Sequence, residues 1–411
     1  VKILCLIDSL GSGGAQRQIV ELAKGFAGRG HEVRVLVYHD EPHFEEELRT
    51  RNILVQKIDT KSRIARYFRI RQVLRSGWQD VILAFLVGPC LYAELAMVPS
   101  FNSGLVVSER SANPQLMCGG SRVVRQFHRL ADAVVCNSHT NRLALGSVHV
   151  GLRDRATTIY NLVDLERFKP RVSAGSYEWA SNSRNGYHPL NVVICASYQE
   201  NKNLLGVARA LKLLRDRLSR PLITVRWYGR FPRDQSYKSY MEDYVRQSGI
   251  AHMLQLNTAT NDVADVIHAA DFVGLFSFHE GLPNAICEGM ACGKPVVMSN
   301  VCDAGNLVKE GLNGFLCDPY DVDDIARSFE RAYKLPQGER RSMGEWSRET
   351  ALRLFDPETI LNCYERILSS VAFGKRLPRM DHSPTTAPQS AVDTILRWQR
   401  MRGQSLKCSK G

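Results

Sequence analysis

From its first residues this chain alternates short apolar runs with amphipathic helical stretches, a pattern few folds accommodate. Strand-like runs occupy 1–8, 32–38, 53–58, 81–85, 105–108, 133–137 and 157–160. Helical patterns lie between them, as in 15–27, where apolar residues recur at 19, 22, 23 and 26. Parallel neighbours need a crossover, so this alternation predicts a doubly wound α/β domain, a parallel sheet with helices on both faces. Ligands of such sheets bind outside the carboxyl ends of the strands.

The alternation stops once. Residues 166–190 are rich in Ser, Asn, Gly and Pro, lack an apolar period, and read as an interdomain linker. Strand-like runs resume at 191–196, 222–228, 253–256, 272–276 and 295–298, and three closing helices are expected at 321–334, 337–355 and 357–371. A chain of 411 residues is too long for one core. The expected division is a first domain at 1–165, the linker, a second domain at 191–355, a helix at 356–373 and a basic tail at 374–411. That tail is Pro-, Ser- and Arg-rich and is expected to be poorly ordered apart from a short helix at 392–401.

Composition excludes several classes. The eleven cysteines are scattered without a CxxC pair, so neither a zinc site nor a disulfide framework is indicated and a reducing, cytosolic compartment is expected. The N-terminus reads as a first strand rather than a signal peptide, because a glycine-rich turn follows it. The apolar stretch 81–99 approaches the length of a membrane span, but Gly88-Pro89 and Glu94 favour a strand followed by a helix. The net charge of +12 is concentrated in two segments, 61–75 and 374–411, which hold +6 each. Residues 61–75 predict a basic amphipathic helix, suited to an anionic membrane surface or to covering the sheet with its arginines in water. No signature of a nucleic-acid module accompanies it.

The segment 279–297 carries the most chemistry. Glu280 and Glu288 bracket Gly281-Leu282-Pro283-Asn284, directly after an apolar run. This predicts a strand, a tight turn and a short helix with Pro283 in its first turn. Glu280 then stands at the strand's carboxyl end and Glu288 about one turn into the helix, while the N–H groups of 281–285 offer an anion site. A site that holds a diphosphate and grips sugar hydroxyls needs those parts; the plainer reading is an ordinary strand-turn-helix with a chance pair of acids.

Glu280-x7-Glu288 with Gly281-Leu282-Pro283, followed by Ala291-Cys-Gly293-Lys294-Pro295-Val296, resembles the retaining glycosyltransferases of family 4. The resemblance extends over most of 1–372. It implies the GT-B architecture, two facing Rossmann-like domains with a last helix crossing back to the first. It also implies that Glu288 bonds the donor ribose, that Glu280 bonds the transferred sugar, and that the backbone near Gly281 and Leu282 contacts diphosphate and sugar. Lys202-Asn203 matches the family's Lys-Asn, with Lys202 on the diphosphate. Ala196-Ser197 stands where Gly-Arg is usual, so one phosphate cation is missing or comes from elsewhere, with Arg230 a candidate. Gly13 and Gly14, in the turn after the first strand, are expected near the donor phosphates. Ser108-Glu109-Arg110 resembles a Ser-Glu-Arg of some members; Glu109 and Arg110 either serve the acceptor or pair with neighbouring side chains. Asn161-Leu-Val-Asp164, with Phe168, resembles the family's hinge. His31, His128 and His268 lack ligand spacing and read as structural or surface residues.

The implied activity is retaining transfer from a nucleotide-diphosphate sugar, with UDP-sugar the first expectation. The acceptor would be a glycan or lipid-linked glycan of cell-envelope polysaccharide or lipopolysaccharide synthesis. In the family, retention is explained by front-face displacement. No metal ion and no other cofactor is expected, and the place of work is the cytoplasm, peripherally on the inner face of the plasma membrane. A sugar-nucleotide epimerase or a phosphorylase of the same fold is the nearest rival. A catalytically silent scaffold is a further one, kept open by Ser197.

Overall fold

The computed structural model describes residues 1–99, 102–111, 119–171, 188–218, 221–231 and 236–374. Most of the expected linker and the tail beyond 374, with its helix at 392–401, lie outside the described residues. The described chain forms two compact units, one of Val1–Leu162 with residues 357–374, the other of Val163–Asp356. The boundaries expected from sequence are 165 and 355.

The first unit runs β1 (Lys2–Leu6), α1 (Gly14–Gly28), β2 (Glu32–Val37), α2 (Glu45–Arg49), β3 (Leu54–Lys57), α3 (Arg63–Leu74), β4 (Val81–Phe85), α4 (Val87–Ala96), β5 (Gly104–Glu109), α5 (Gly119–Gln126), β6 (Ala133–Cys136), α6 (His139–Val148), α7 (Val150–Arg155) and β7 (Ala156–Thr158). Its seven-stranded sheet is parallel, in the order β3-β2-β1-β4-β5-β6-β7. The order reverses between β1 and β4, which opens a crevice at their carboxyl ends. Central strands covered on both faces must be apolar throughout. In β4 all five residues are buried, whereas edge strand β3 is only partly covered.

The second unit runs β8 (Leu190–Cys195), α8 (Leu204–Arg217), β9 (Ile223–Gly229), α9 (Ser236–Gln247), β10 (Leu254–Thr258), α10 (Val263–His268), β11 (Phe272–Leu275), α11 (Asn284–Ala291), β12 (Val296–Ser299), α12 (Ala304–Leu307), β13 (Gly314–Cys317), α13 (Val322–Lys334) and α14 (Gln337–Leu354). Its parallel sheet has the order β10-β9-β8-β11-β12-β13 and reverses between β8 and β11. Strand β13 is absent from the expected strands; its run is only four residues long, although the Gly311-Leu-Asn-Gly turn before it is a legible signal.

The last helix, α15 (Pro357–Ala372), belongs to the first unit. It buries Ile360, Leu361, Tyr364, Ile367 and Leu368, an i, i+1, i+4, i+7, i+8 stripe. Each such side chain contributes about 1.5–3 kcal/mol. Gly25 of α1 admits it closely, since a Cβ there would lie 2.5 Å from Leu361 Cδ2. Arg29 adds ion pairs to Glu358 and Glu365 at 2.5 and 2.6 Å.

One local expectation holds with a refinement and a second needs correction. The stretch 81–99 is a strand followed by a helix, but it turns at Leu86 (φ 72°), and Gly88-Pro89 lie inside the first turn of α4. A proline there forgoes an N–H that has no helical partner. Among the described residues no helix is long and apolar enough to cross a membrane. Helix α3 buries only Ile70 and Leu74. Its arginines do not simply face water. Arg71 Nη1 donates to Ala96 O and Val98 O at 2.9 and 2.8 Å, and Arg75 Nη1 to Ala96 O and Pro99 O at 3.0 and 3.1 Å. These cations satisfy the carbonyl end of α4, where positive charge is favoured. Arg69 donates to Asp59 O, and Arg66 lies over the Tyr38 ring. Ile64 and Phe68 are left 72% and 61% exposed, beside exposed Lys61 and Arg63.

Helix α11 is held close to β11 by the lack of a side chain at Gly289, where a Cβ would stand 2.6 Å from Val273 Cγ2 and 2.8 Å from its Cβ. Gly289→Ala gains about 1 kcal/mol of helix propensity but overpacks this contact at about 1–3 kcal/mol. The expected outcome is net destabilisation, read as a lower denaturant midpoint. An unchanged or higher midpoint would show that α11 is free to shift.

Candidate active site

In the second unit the loops after β8 and β11 meet at the reversal of strand order. After β8 the chain makes a turn of 3-10 helix at Glu200–Lys202 and then enters the left-handed region at Asn203 (φ 62°). Asparagine tolerates that conformation, and its side chain caps the start of α8. Asn203 Oδ1 accepts from Gly206 N at 3.2 Å, while Nδ2 donates to Pro319 O at 2.8 Å. Phe278 N, in the loop after β11, donates to Asn201 O at 2.9 Å and ties the two loops together. Lys202 Nζ consequently lies 2.5 Å from Glu280 Oε1, to which Ser277 Oγ also donates at 2.6 Å. Both charged side chains are largely covered, at 18% and 13% exposure. Buried Ser277 is backed by Ser299, whose Oγ donates to Ser277 O at 2.8 Å.

Glu280 stands after β11, and Gly281 and Leu282 are buried. Pro283 differs from expectation. It precedes α11 in extended conformation (φ −79°, ψ 106°), and its carbonyl accepts from Ile286 N and Cys287 N, so the helix proper begins at Asn284. Glu288 is buried on α11. Burial pushes the His279 imidazole below its ordinary range, with Lys202 lowering it further and Glu280 opposing. Arg230 follows β9 and is exposed, with no side-chain partner among the described residues. Its carbonyl accepts from Tyr198 N at 3.0 Å, which sets it beside the Ala196-Ser197 turn. That turn passes so close to Gly229 that a Cβ there would stand 2.0 Å from Ala196 O.

Sequence reasoning missed three contributors. Tyr198 stacks on Phe231 at 3.6 Å, and its hydroxyl donates toward Trp227 O and Asn257 O at 2.9 and 2.8 Å. Cys302 adopts a φ of 47°, and Asp303 beside it is fully buried. Burial raises the Cys302 thiol well above its ordinary value, and the charges of Asp303 and Glu280 add to the shift, so this loop adjoins Glu280. Asn300 and Asp303, two polar residues right after an apolar strand, were the available signal.

Lys294, part of the matched motif, turns out structural, and so does an Asp-x-Asp spacing. Lys294 Nζ donates to His268 O and Ala270 O at 2.9 and 2.7 Å and so caps the end of α10. An Asp-x-Asp motif was expected to be absent, yet Asp321-Val322-Asp323 has that spacing; Asp321 Oδ1 accepts from Asp323 N and Asp324 N as a cap of α13. No cluster suited to a metal ion occurs among the described residues. A groove of about 420 Å³ lined by Arg226, Tyr228, Asp262 and Asp265 runs along the sheet and includes none of the expected site residues.

The remaining expected residues lie in the first unit. Asp8 Oδ1, after β1, accepts from Ser9 N at 2.7 Å and Gln16 Nε2 at 2.9 Å, which shapes the glycine-rich turn. Gly13 caps α1 in extended conformation (φ −79°), and Gly13 and Gly14 are exposed at the helix start. Of the two readings of Glu109 and Arg110, the structure has the pairing with neighbours. Glu109 is buried and held by Arg125, with Nε 2.7 Å from Oε2 and Nη2 3.1 Å from Oε1. His128, read from sequence as structural or surface, lies 3.7 Å from Glu109 and bonds Glu94 through Nδ1 at 2.5 Å. Arg110 Nη2 donates to Asn161 Oδ1 at 2.7 Å and Nη1 to Tyr364 Oη at 3.3 Å, joining the end of β5 to the chain before Leu162 and to α15.

Two family models match the chain. Glycosyltransferase Family 4 matches residues 12–167, and Glycosyl transferases group 1 matches residues 183–350. Among curated proteins it is similar to the UDP-Gal:alpha-D-GlcNAc-diphosphoundecaprenol alpha-1,3-galactosyltransferase of Escherichia coli, 27% identical over 43% of this chain and 45% of that protein. It is also similar to a GalNAc-alpha-(1->4)-GalNAc-alpha-(1->3)-diNAcBac-PP-undecaprenol alpha-1,4-N-acetyl-D-galactosaminyltransferase of Campylobacter jejuni, 23% identical over 80% of this chain and 88% of that protein. The matched region spans about half the length of the E. coli relative and of a Bacillus subtilis glycosyltransferase, 45% and 50%. Among solved structures, Anabaena HepE in complex with UDP and glucose superposes with a TM-score of 0.77 at 22% identity, covering 90% of this chain and 99% of that one. The fold is therefore GT-B, and the chain belongs to the family 4 glycosyltransferases.

The buried cluster in the first unit has a pH signature. Burial alone would push His128 down, but Glu109 and Glu94 overcome it and raise it from 6.5 to about 9. Burial alone would push Glu109 up, but His128 and Arg125 lower it from 4.5 to about 2. The stability from His128 is complete below pH 6.5 and is lost as pH rises through about 9. The stability from Glu109 is complete above pH 4.5 and is lost as pH falls toward about 2. Hydrogen exchange of the β5 amides should accelerate on both flanks, and His128→Gln should flatten the alkaline one. An alkaline flank that persists in the variant would assign it to another group.

Proposed function

We propose that this chain is a retaining glycosyltransferase that moves a sugar from a UDP-sugar to a glycan or lipid-linked glycan of the cell envelope. The observation that carries the reading is Lys202 and Glu280 brought together at the carboxyl ends of β8 and β11, beside the start of α11. A cation and a helix N-terminus suit a diphosphate, and a carboxylate suits sugar hydroxyls. In this reading Lys202 stabilises the departing diphosphate, with Arg230 as the second cation that Ser197 does not supply. Glu280 accepts from hydroxyls of the transferred sugar, and Glu288 from the ribose. The backbone around Gly281 and Leu282, with Pro283 and Asn284, faces the diphosphate. The C1–O bond to UDP breaks as the acceptor oxygen bonds C1 on the same face, and the acceptor proton passes to a diphosphate oxygen. The reaction then needs charge stabilisation on the leaving group and no metal ion. The names of the E. coli and C. jejuni relatives, which act on undecaprenol-linked glycans, support the acceptor class.

Glu288→Ala tests the donor assignment. The ribose contact is present in ground and transition states alike, so KM is expected to rise more than kcat falls. A lost charge-assisted hydrogen bond of about 1.5–3 kcal/mol corresponds to roughly ten- to hundredfold in donor affinity. Unchanged UDP-sugar affinity by calorimetry would remove Glu288 from the site.

The membrane assignment goes to the exposed edge of α3, where Ile64 and Phe68 flank Lys61 and Arg63. Each cation near an anionic surface contributes about 1 kcal/mol, screened by salt. In vesicle flotation with anionic lipid, Ile64→Asp with Phe68→Asp should abolish binding, and Lys61→Gln with Arg63→Gln should weaken it in a salt-dependent way. Full flotation of the Asp variant would show that α3 is a solvated face.

A further inference from the structure

Glu280 has two carboxylate oxygens, and the structure treats them differently. Oε1 is occupied twice, by Lys202 Nζ at 2.5 Å and Ser277 Oγ at 2.6 Å. Oε2 has no partner among the described residues. Resting on the donor reading above, we infer that Ser277 positions Glu280 so that tight binding of a nucleoside diphosphate depends on an attached sugar.

Charge balance produces the effect. In the empty site Lys202 is already neutralised by Glu280, at side-chain exposures of 18% and 13%. An incoming diphosphate draws the ammonium toward itself. Glu280 then loses its counter-charge while still shielded from water, and a shielded carboxylate without a partner is costly. It cannot follow Lys202 freely, because buried Ser277 holds Oε1 and Ser299 holds the Ser277 carbonyl at 2.8 Å. Hydroxyl groups of a donor sugar replace the lost partner; free UDP brings none. The ion pair therefore opposes UDP and leaves a UDP-sugar nearly unopposed, which favours release of the nucleotide product after transfer. In this account Ser277 is a positioning residue.

The test measures binding of UDP and of UDP-hexoses to the full chain by calorimetry. Glu280→Gln keeps the shape and removes the charge, so it should bind UDP roughly three- to tenfold more tightly than the parent while binding UDP-hexoses no better. Ser277→Ala, checked for an unchanged thermal transition, frees Glu280 to follow Lys202 and should bind UDP more tightly than the parent while losing UDP-hexose affinity, and Ser277→Thr should restore the preference. Unchanged or weaker UDP binding by Glu280→Gln overturns the inference. Lys202→Ala separates the two levels. If it binds UDP as the parent does, the donor reading itself falls; if it loses UDP while Glu280→Gln gains nothing, only the coupling falls.

Discussion

The contact between Lys202 and Glu280 depends on two loops that the chain reaches 78 residues apart. Neither loop is rigid by itself. Asn203 adopts a left-handed conformation and bonds both α8 and Pro319, and one backbone bond from Phe278 to Asn201 joins the turn to its neighbour. Gly229 and Gly289 remove the two side chains that would otherwise hold the strands and α11 apart. The charged pair is thus held by backbone and packing, which is how a partly covered ion pair keeps one geometry.

The first unit spends its buried charge differently. Glu94, Glu109, Arg125 and His128 are all nearly inaccessible, and they neutralise each other across α4, β5 and α5. Such a cluster is destabilising piecemeal and tolerable only as a set. Arg110 next to it plays a connecting part, since one guanidinium reaches Asn161 and Tyr364, groups on either side of the second unit in sequence. The acid and base read together as Ser-Glu-Arg therefore separate into two unlike roles because β5 points successive side chains in opposite directions.

The basic residues also divide. Arg71, Arg75 and Lys294 meet carbonyls at or near helix ends, where the backbone offers partial negative charge. Lys61, Arg63 and Arg230 are exposed and carry no side-chain partner among the described residues. A count of net charge does not distinguish the two groups, and only the second is available to a ligand or a surface.

Sequence alone determined the architecture. Runs such as Val81–Phe85 could only be strands buried on both faces, and the stripe in 357–371 had to cover a core, so two parallel sheets and a closing helix were legible from periodicity. The segment around Glu280 and Glu288 was legible because glycine, proline and acid act locally, through turn geometry and helix starts. The short β13, the stack on Tyr198, the buried Asp303 and the approach of His128 to Glu109 were not, because each depends on residues far apart in sequence. That Glu109 meets the Arg125 and His128 side chains, and that Arg71 and Arg75 meet carbonyls at the end of α4, was likewise decided by tertiary structure. Their chemistry permits other partners, and only the position of α4, α5 and neighbouring carbonyls selects these.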